Sequence, residues 1–261
     1  MLRFAAAAQT DVGLRKATNQ DSLLYRHAAC DNKEVMLAVV CDGMGGLSKG
    51  ELASATVVRV FDRWFDEELP LQMDNLDLRV IGERLAKMLV TLNETIYNYG
   101  VSIDISLGTT VTALLIVDNE FVCVHVGDSR LYLMTDHIEQ VTNDQTFVAR
   151  EIAMGRMTPE QAKVDRRRSM LLQCVGASQK VEPDIILGTT VPGTYLLCSD
   201  GFRHVISPQE IYNLLGPGSQ RGTGDMHRNL RALIEEDKKR QEKDNISAIL
   251  VYAGEQPGAE A

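Results

Sequence analysis

Four short apolar runs each meet a carboxylate at one end, and no other feature constrains this chain as much. Asp42 closes the run 35–41, Asp128 closes 121–127, Asp200 closes 195–199, and Asp244 precedes 246–252 across one Asn. Short β-branched apolar runs read as buried strands. A single carboxylate at a strand mouth is ordinary. Four of them, with Gly43, Gly127 and Gly201 beside three, point to ligands for a hard cation at one end of a sheet system. All-oxygen donors of this kind suit magnesium or manganese.

Charge and cysteine usage exclude several classes. The net charge is −9 and the pI about 5.1, which argues against a nucleic-acid partner, because neutralising phosphates needs a basic face. An anionic substrate remains open, since bound cations reverse the local sign. The 5 cysteines (30, 41, 123, 174 and 198) form no CxxC pair and mostly sit in apolar strand patterns. Their odd number and spread favour a reducing compartment, hence a cytoplasmic protein. The apolar start at residues 1–8 is too short for a signal core, and no run is long enough to span a bilayer, so no membrane insertion is expected.

The pattern predicts one domain over residues 1–253 and a flexible tail over 254–261. Residues 4–10 and 22–27 are expected to form a hairpin-like pair around Asp11-Val12-Gly13. A helix is predicted from about Glu51 to Glu68, with Ala53, Val57, Val60, Phe61 and Trp64 on one face. A second follows from about Asn75 to Tyr99, striped by Leu78, Ile81, Leu85, Met88, Leu89, Leu92 and Ile96. Residues 109–117 and 121–126 read as a hairpin across Asp118-Asn119-Glu120, and 131–134 with 138–141 as another. Residues 145–180 are polar and helix-prone. Strands return at 184–188, 194–199 and 246–252. Ser207 and Glu210 fit a capping box opening a helix, and another helix is expected near 225–240. Hairpins with paired helical segments do not alternate as βαβ units. They read as antiparallel sheets with helices outside, in the α+β class.

Six motifs occur in order: Asn19-Gln20-Asp21-Ser22; Asp42-Gly43-Met44-Gly45-Gly46 with Gly50-Glu51; Leu107-Gly108-Thr109-Thr110; Val126-Gly127-Asp128-Ser129-Arg130; Ser199-Asp200-Gly201; and Asp244-Asn245-Ile246-Ser247. Together they resemble the metal-dependent protein phosphatases of the type 2C class in their compact bacterial form, over roughly residues 8–253. The resemblance implies an α-β-β-α sandwich of two antiparallel sheets flanked by helices on both outer faces. It also implies hydrolysis of phosphoserine and phosphothreonine by a water that two cations activate. By the same resemblance Asp42 bridges two metals, the Gly43 carbonyl is a further ligand, and Asp200 and Asp244 hold the first metal. Asp128 with Asp200 would hold a weaker third ion, and Asp21 would orient water. Residues 145–180 correspond to a flap over the site.

Other readings stand beside these. Asp128 also suits a turn before Ser129-Arg130, and Asp118 and Asp136 read as turn formers. Arg166-Arg167-Arg168 is either a solvated basic face or a grip on acidic or phosphorylated peptides. The family's phosphate-gripping Arg aligns with Lys16, next to Arg15, so either residue is a candidate; Lys offers a point charge where Arg offers a fork. Leu47 stands where bacterial relatives place a His, which leaves no evident general acid. The expected partners are phosphorylated proteins and a cognate serine/threonine kinase, with the chain working as a monomer. The rival reading is a catalytically weak regulatory binding module of the same fold.

Overall fold

Alternation along one strand sets up the architecture. The computed structural model describes residues 2–30, 33–44 and 49–254; Gly45, Gly46, Leu47 and the tail expected beyond Gly254 lie outside the described residues. In β3 (Lys33–Cys41), Val35, Leu37, Val39 and Cys41 pack in an apolar cluster with α1 (Gly50–Glu67) and α2 (Leu78–Ser102). Met36, Ala38 and Val40, on the opposite face, pack in a different cluster with Tyr195, Leu197, Ile249 and Val251 from the other sheet. A period of two on a strand buried on both faces produces this division.

The first sheet runs β2 (Ser22–Cys30), β3, β4 (Val111–Val117), β5 (Glu120–Val126), β8 (Asp184–Thr189). The second runs β1 (Arg3–Asp11), β10 (Ile246–Gly254), β9 (Gly193–Cys198), β6 (Arg130–Met134), β7 (Ile138–Gln140). Every pairing is antiparallel. α5 (Pro208–Leu215) and α6 (Thr223–Lys239) cover the second sheet through Ile211, Leu215, Met226, Leu230 and Ile234. Three apolar layers between four structural layers make the α-β-β-α sandwich.

One expected pairing is overturned. β1 does not pair with β2. It pairs along its whole length with β10, from Arg3↔Gly254 to Asp11↔Ile246, while β2 pairs with β3 from Ser22↔Cys41 to Cys30↔Lys33. The segment between β1 and β2 is not a hairpin turn but a connection from one sheet to the other. Asn245 fastens it: the Asn245 amide donates to the carbonyls of Val12 (2.9 Å) and Thr18 (3.2 Å), and its oxygen accepts from the Gln20 N–H (2.9 Å).

The segment 145–180 carries α3 (Phe147–Ala153) and α4 (Pro159–Val164), each capped by a threonine side chain, Thr146 and Thr158. Its far end is tied to the body by a bridge between Thr109 and Val175, and by Asn93, which accepts from the Gly176 N–H (2.7 Å) and donates to the Ser178 carbonyl (3.0 Å). The Ser207–Glu210 capping box opens α5 as expected.

Candidate metal centre

The strand registers bring the carboxylates to one mouth of the sandwich. Asp21 precedes β2 where Ser22 pairs with Cys41, and Asp42 follows β3. Cys198, at the end of β9, pairs with both Ala248 and Arg130, so Asp200, Asp244 and Asp128 emerge close together. The loops that aim them are held by the small polar residues of the motifs. The Asp42 N–H donates to the Thr110 hydroxyl (3.1 Å), and the Asp42 carbonyl accepts from the Thr110 N–H (2.9 Å) and the Thr109 hydroxyl (3.0 Å). Thr110 also meets the Ser129 hydroxyl at 2.7 Å, which links the Asp42 loop to the Asp128 turn.

Gly43 is required here by packing. A Cβ would lie 2.4 Å from the Gln20 carbonyl oxygen and 2.6 Å from the Gly50 backbone. Gly13 adopts φ +74, and a Cβ there would meet the Asp244 carbonyl oxygen at 2.2 Å. Both glycines let the three loops that carry Lys16, Asp42 and Asp244 close on one another.

The electrostatics of the mouth are those of crowded acid. Burial pushes the Asp42 carboxyl well above the usual carboxylate range, and Asp21, Asp200, Asp128 and Asp244 push it further. Both carboxylate oxygens of Asp21 are buried without a hydrogen-bond partner. Burial raises Asp21 to about 7; the hydroxyls of Ser247 and Ser199 pull the other way without reaching hydrogen-bond geometry, and Asp200 and Asp244 add to the rise. One oxygen of Asp200 is likewise buried and unpartnered. Among the described residues no three His, Cys, Asp or Glu side chains close on a single point as a finished ligand set. The donor chemistry nevertheless fits a hard divalent cation: it is all oxygen, it is anionic, and two of its carboxylates carry buried oxygens with no other partner.

Lys16 enters this mouth, its Nζ 2.7 Å from Asp244 Oδ1. Burial alone would lower its pKa, but Asp244, then Asp42 and Asp200, outweigh that and raise it. Arg15 is exposed. The basic triplet divides. Arg167 forks onto Asp165 (2.9 and 3.0 Å) and stacks over the Phe147 ring at 4.1 Å, whereas Arg168 lines a cavity of about 1040 Å³ between the 145–180 segment and the mouth. Lys163, Arg130, Asp128, Arg203 and His204 line the same cavity, and Arg166 is exposed outside it.

Sequence reasoning missed a set of residues behind the carboxylates. His204 places Nε2 3.3 Å from Asp200 Oδ2 and Nδ1 3.6 Å from Glu242 Oε2. Glu242 Oε1 accepts the backbone N–H groups of Lys243 (2.6 Å) and Asp244 (2.9 Å), fixing the turn that presents Asp244. Arg203 donates to the Asp128 carbonyl at 2.7 Å. The one signal for them was proximity: each lies within four residues of a motif Asp, yet none falls at metal-ligand spacing.

A four-layer α-β-β-α sandwich with carboxylates at one mouth is the arrangement expected of the metal-dependent protein phosphatases. The chain belongs to the protein phosphatase 2C family, whose model matches residues 14–235. A protein phosphatase 2C-type protein of Streptococcus pyogenes is 32% identical over 248 residues, covering 94% of this chain and 95% of that protein. The serine/threonine protein phosphatase PstP of Mycobacterium tuberculosis is 33% identical over 222 residues, 82% of this chain, but the match spans only 39% of PstP. Among solved structures, the PstP catalytic domain in complex with two manganese ions superposes with a TM-score of 0.79 at 30% identity, over 98% of this chain and 100% of that one. No described helix is long and apolar enough to cross a membrane.

Proposed function

We propose that this chain is a metal-dependent serine/threonine phosphoprotein phosphatase whose ions would be held by Asp42, the Gly43 carbonyl, Asp200 and Asp244. One observation carries this assignment: Asp21, Asp42, Asp200 and Asp244 come from four separate strand ends to one mouth, with buried unpartnered oxygens on Asp21 and Asp200. Manganese or magnesium suits the donors, and Asp128 with Asp200 offers a weaker third position. When bound, the two core ions neutralise phosphate charge and lower the pKa of water.

The chain's own residues do the rest. Asp21, behind the ligands, accepts a proton or a water hydrogen at its free oxygens. Lys16 Nζ reaches over the mouth and meets a phosphate oxygen, with Arg15 the alternative. Arg168 and Lys163, on the cavity, grip the acidic flank of a phosphopeptide; Arg166 and Arg167 serve this less, because Arg167 is committed to Asp165 and Phe147. The substrates are phosphorylated proteins, and the chain opposes a serine/threonine kinase. The cysteines 41, 123, 174 and 198 are free and buried, which supports the reducing cytoplasm as its compartment.

The test is hydrolysis of p-nitrophenyl phosphate and of a phosphothreonine peptide with added manganese. Both should proceed, and excess chelator should abolish both. Full activity in chelator would overturn the metal reading. Hydrolysis of the small ester without the peptide would overturn the protein-substrate reading.

A further inference from the structure

We propose that Arg203 is a built-in counter-cation at Asp128, and that it weakens this corner's hold on a third divalent ion. The inference rests on the reading of Asp42, Asp200 and Asp244 as the core metal site. Asp200-Gly201 leads into a turn in which the Arg203 N–H donates to the Asp200 carbonyl (3.0 Å). That turn sends the Arg203 side chain, 12% exposed, back across the mouth. Its Nη2 donates to the Asp128 carbonyl at 2.7 Å and lies 3.5 Å from Asp128 Oδ2 and 3.7 Å from Asp144 Oδ2.

Asp144 is itself clamped. Arg130 places Nε and Nη2 on its two oxygens, each at 2.7 Å, and Arg130 Nη1 donates to the Tyr132 hydroxyl at 2.7 Å. Gln140 adds a further hydrogen bond to Asp144 Oδ1 at 3.1 Å. Arg130 and Arg203 therefore match Asp128 and Asp144 in formal charge. An ion shared by Asp128 and Asp200 would sit beside the guanidinium and be repelled by it at close range, inside a partly desolvated site where screening is weak. Arginine cannot release its proton to relieve that repulsion. Arg203 also holds the Asp128 backbone, so it positions the same carboxylate whose charge it offsets.

The experiment is manganese binding to the metal-free full chain by calorimetry, with bound ions counted by electron paramagnetic resonance. The wild type should bind two ions and take a third more weakly. Arg203→Gln keeps a donor for the Asp128 carbonyl but removes the charge, and should bind the third ion about tenfold tighter or more; Arg203→Lys should resemble the wild type. Asp144→Asn leaves the corner with excess positive charge and should weaken the third ion, which tests the same electrostatics through a second variant should Arg203→Gln fail to fold. A third-ion affinity unchanged or lowered in folded Arg203→Gln, or unchanged in Asp144→Asn, would overturn the proposal. Asp42→Asn addresses the underlying reading separately: it should abolish the two tight ions, and their persistence would overturn the core site instead.

Discussion

Two acidic places at the same mouth solve the same problem in opposite ways. Around Asp42, four carboxylates (Asp21, Asp42, Asp200 and Asp244) face Lys16, which is bound to Asp244. Around Asp128, the chain supplies its own balance in Arg130 and Arg203. The difference shows within the second corner as well. Asp144 lies below the usual carboxylate range, because the fork from Arg130, then Arg203, outweighs a burial that would raise it. Burial and Asp200 push Asp128 up to about 7 despite Arg203, whose strong bond goes to the Asp128 carbonyl rather than to its carboxylate. A corner whose arginines offset Asp144 fully and Asp128 in part is suited to structure or to weak, exchangeable binding. An uncompensated one needs an external cation before its carboxylates can all be ionised together.

The comparison breaks most sharply at Asp42. Asp42→Asn should lower kcat/KM by about 100-fold or more and remove tight manganese binding, while the metal-free fold survives, because removing a ligand charge weakens both cation binding and water activation. Near-native turnover at saturating manganese would place the reacting centre elsewhere.

Lys16 is the next largest effect, and it sharpens the contrast between a lysine at the uncompensated centre and the arginines of the balanced corner. Lys16→Ala should cost roughly 1.5–3 kcal/mol in kcat/KM for a phosphopeptide, chiefly through KM, as expected for a lost charged hydrogen bond to phosphate. Arg15→Ala should change little, since Arg15 is exposed. Steady-state kinetics with manganese titrated separately decides the matter. A large effect for Arg15 with none for Lys16 would reverse the assignment, and a shift confined to manganese affinity would make Lys16 a partner of Asp244 alone.

The strands, the two long helices and the mouth carboxylates were legible because each is a local pattern. Ile81, Leu85, Leu89 and Ile96 recur at helical spacing and are buried, and the apolar runs beside Asp42, Asp128 and Asp200 are strands. The partner of β1 was not legible. Residues 4–10 read as a strand, but the register with β10 joins residues at opposite ends of the chain, and nothing local in residues 3–11 encodes that. Arg203, His204 and Glu242 were missed for a related reason. Each is polar beside a loop motif and reads as surface, and its role exists only once Asp128, Asp200 and Asp244 have met. Gly43 was expected to be small so that its carbonyl could approach an ion; what the structure shows is that the Gln20 and Gly50 backbones leave no space for a side chain there.

Asp237 on α6 offers the cleanest test, because it has neither remedy. It is fully buried, both its carboxylate oxygens lack a hydrogen-bond partner, and no cation is bonded to it among the described residues. Burial raises its pKa to about 8, with Glu242 adding to the rise and Arg240 opposing it. A carboxyl raised in the folded state contributes stability that is fully present below its unfolded pKa and is lost as pH climbs through the folded one. The window therefore runs from about pH 4 to about pH 8, and within it one such group changes unfolding free energy by at most about 1.4 kcal/mol per pH unit. Asp237→Asn removes that titration without adding charge. Urea denaturation of metal-free protein at intervals from pH 5 to pH 8 should show a shallower fall in stability for Asp237→Asn than for the wild type, with the variant relatively most favoured at pH 8. Parallel curves would mean that Asp237 stays ionised in the folded protein, and that a buried carboxylate here can do without both the cation proposed for the Asp42 mouth and the arginines of the Asp128 corner.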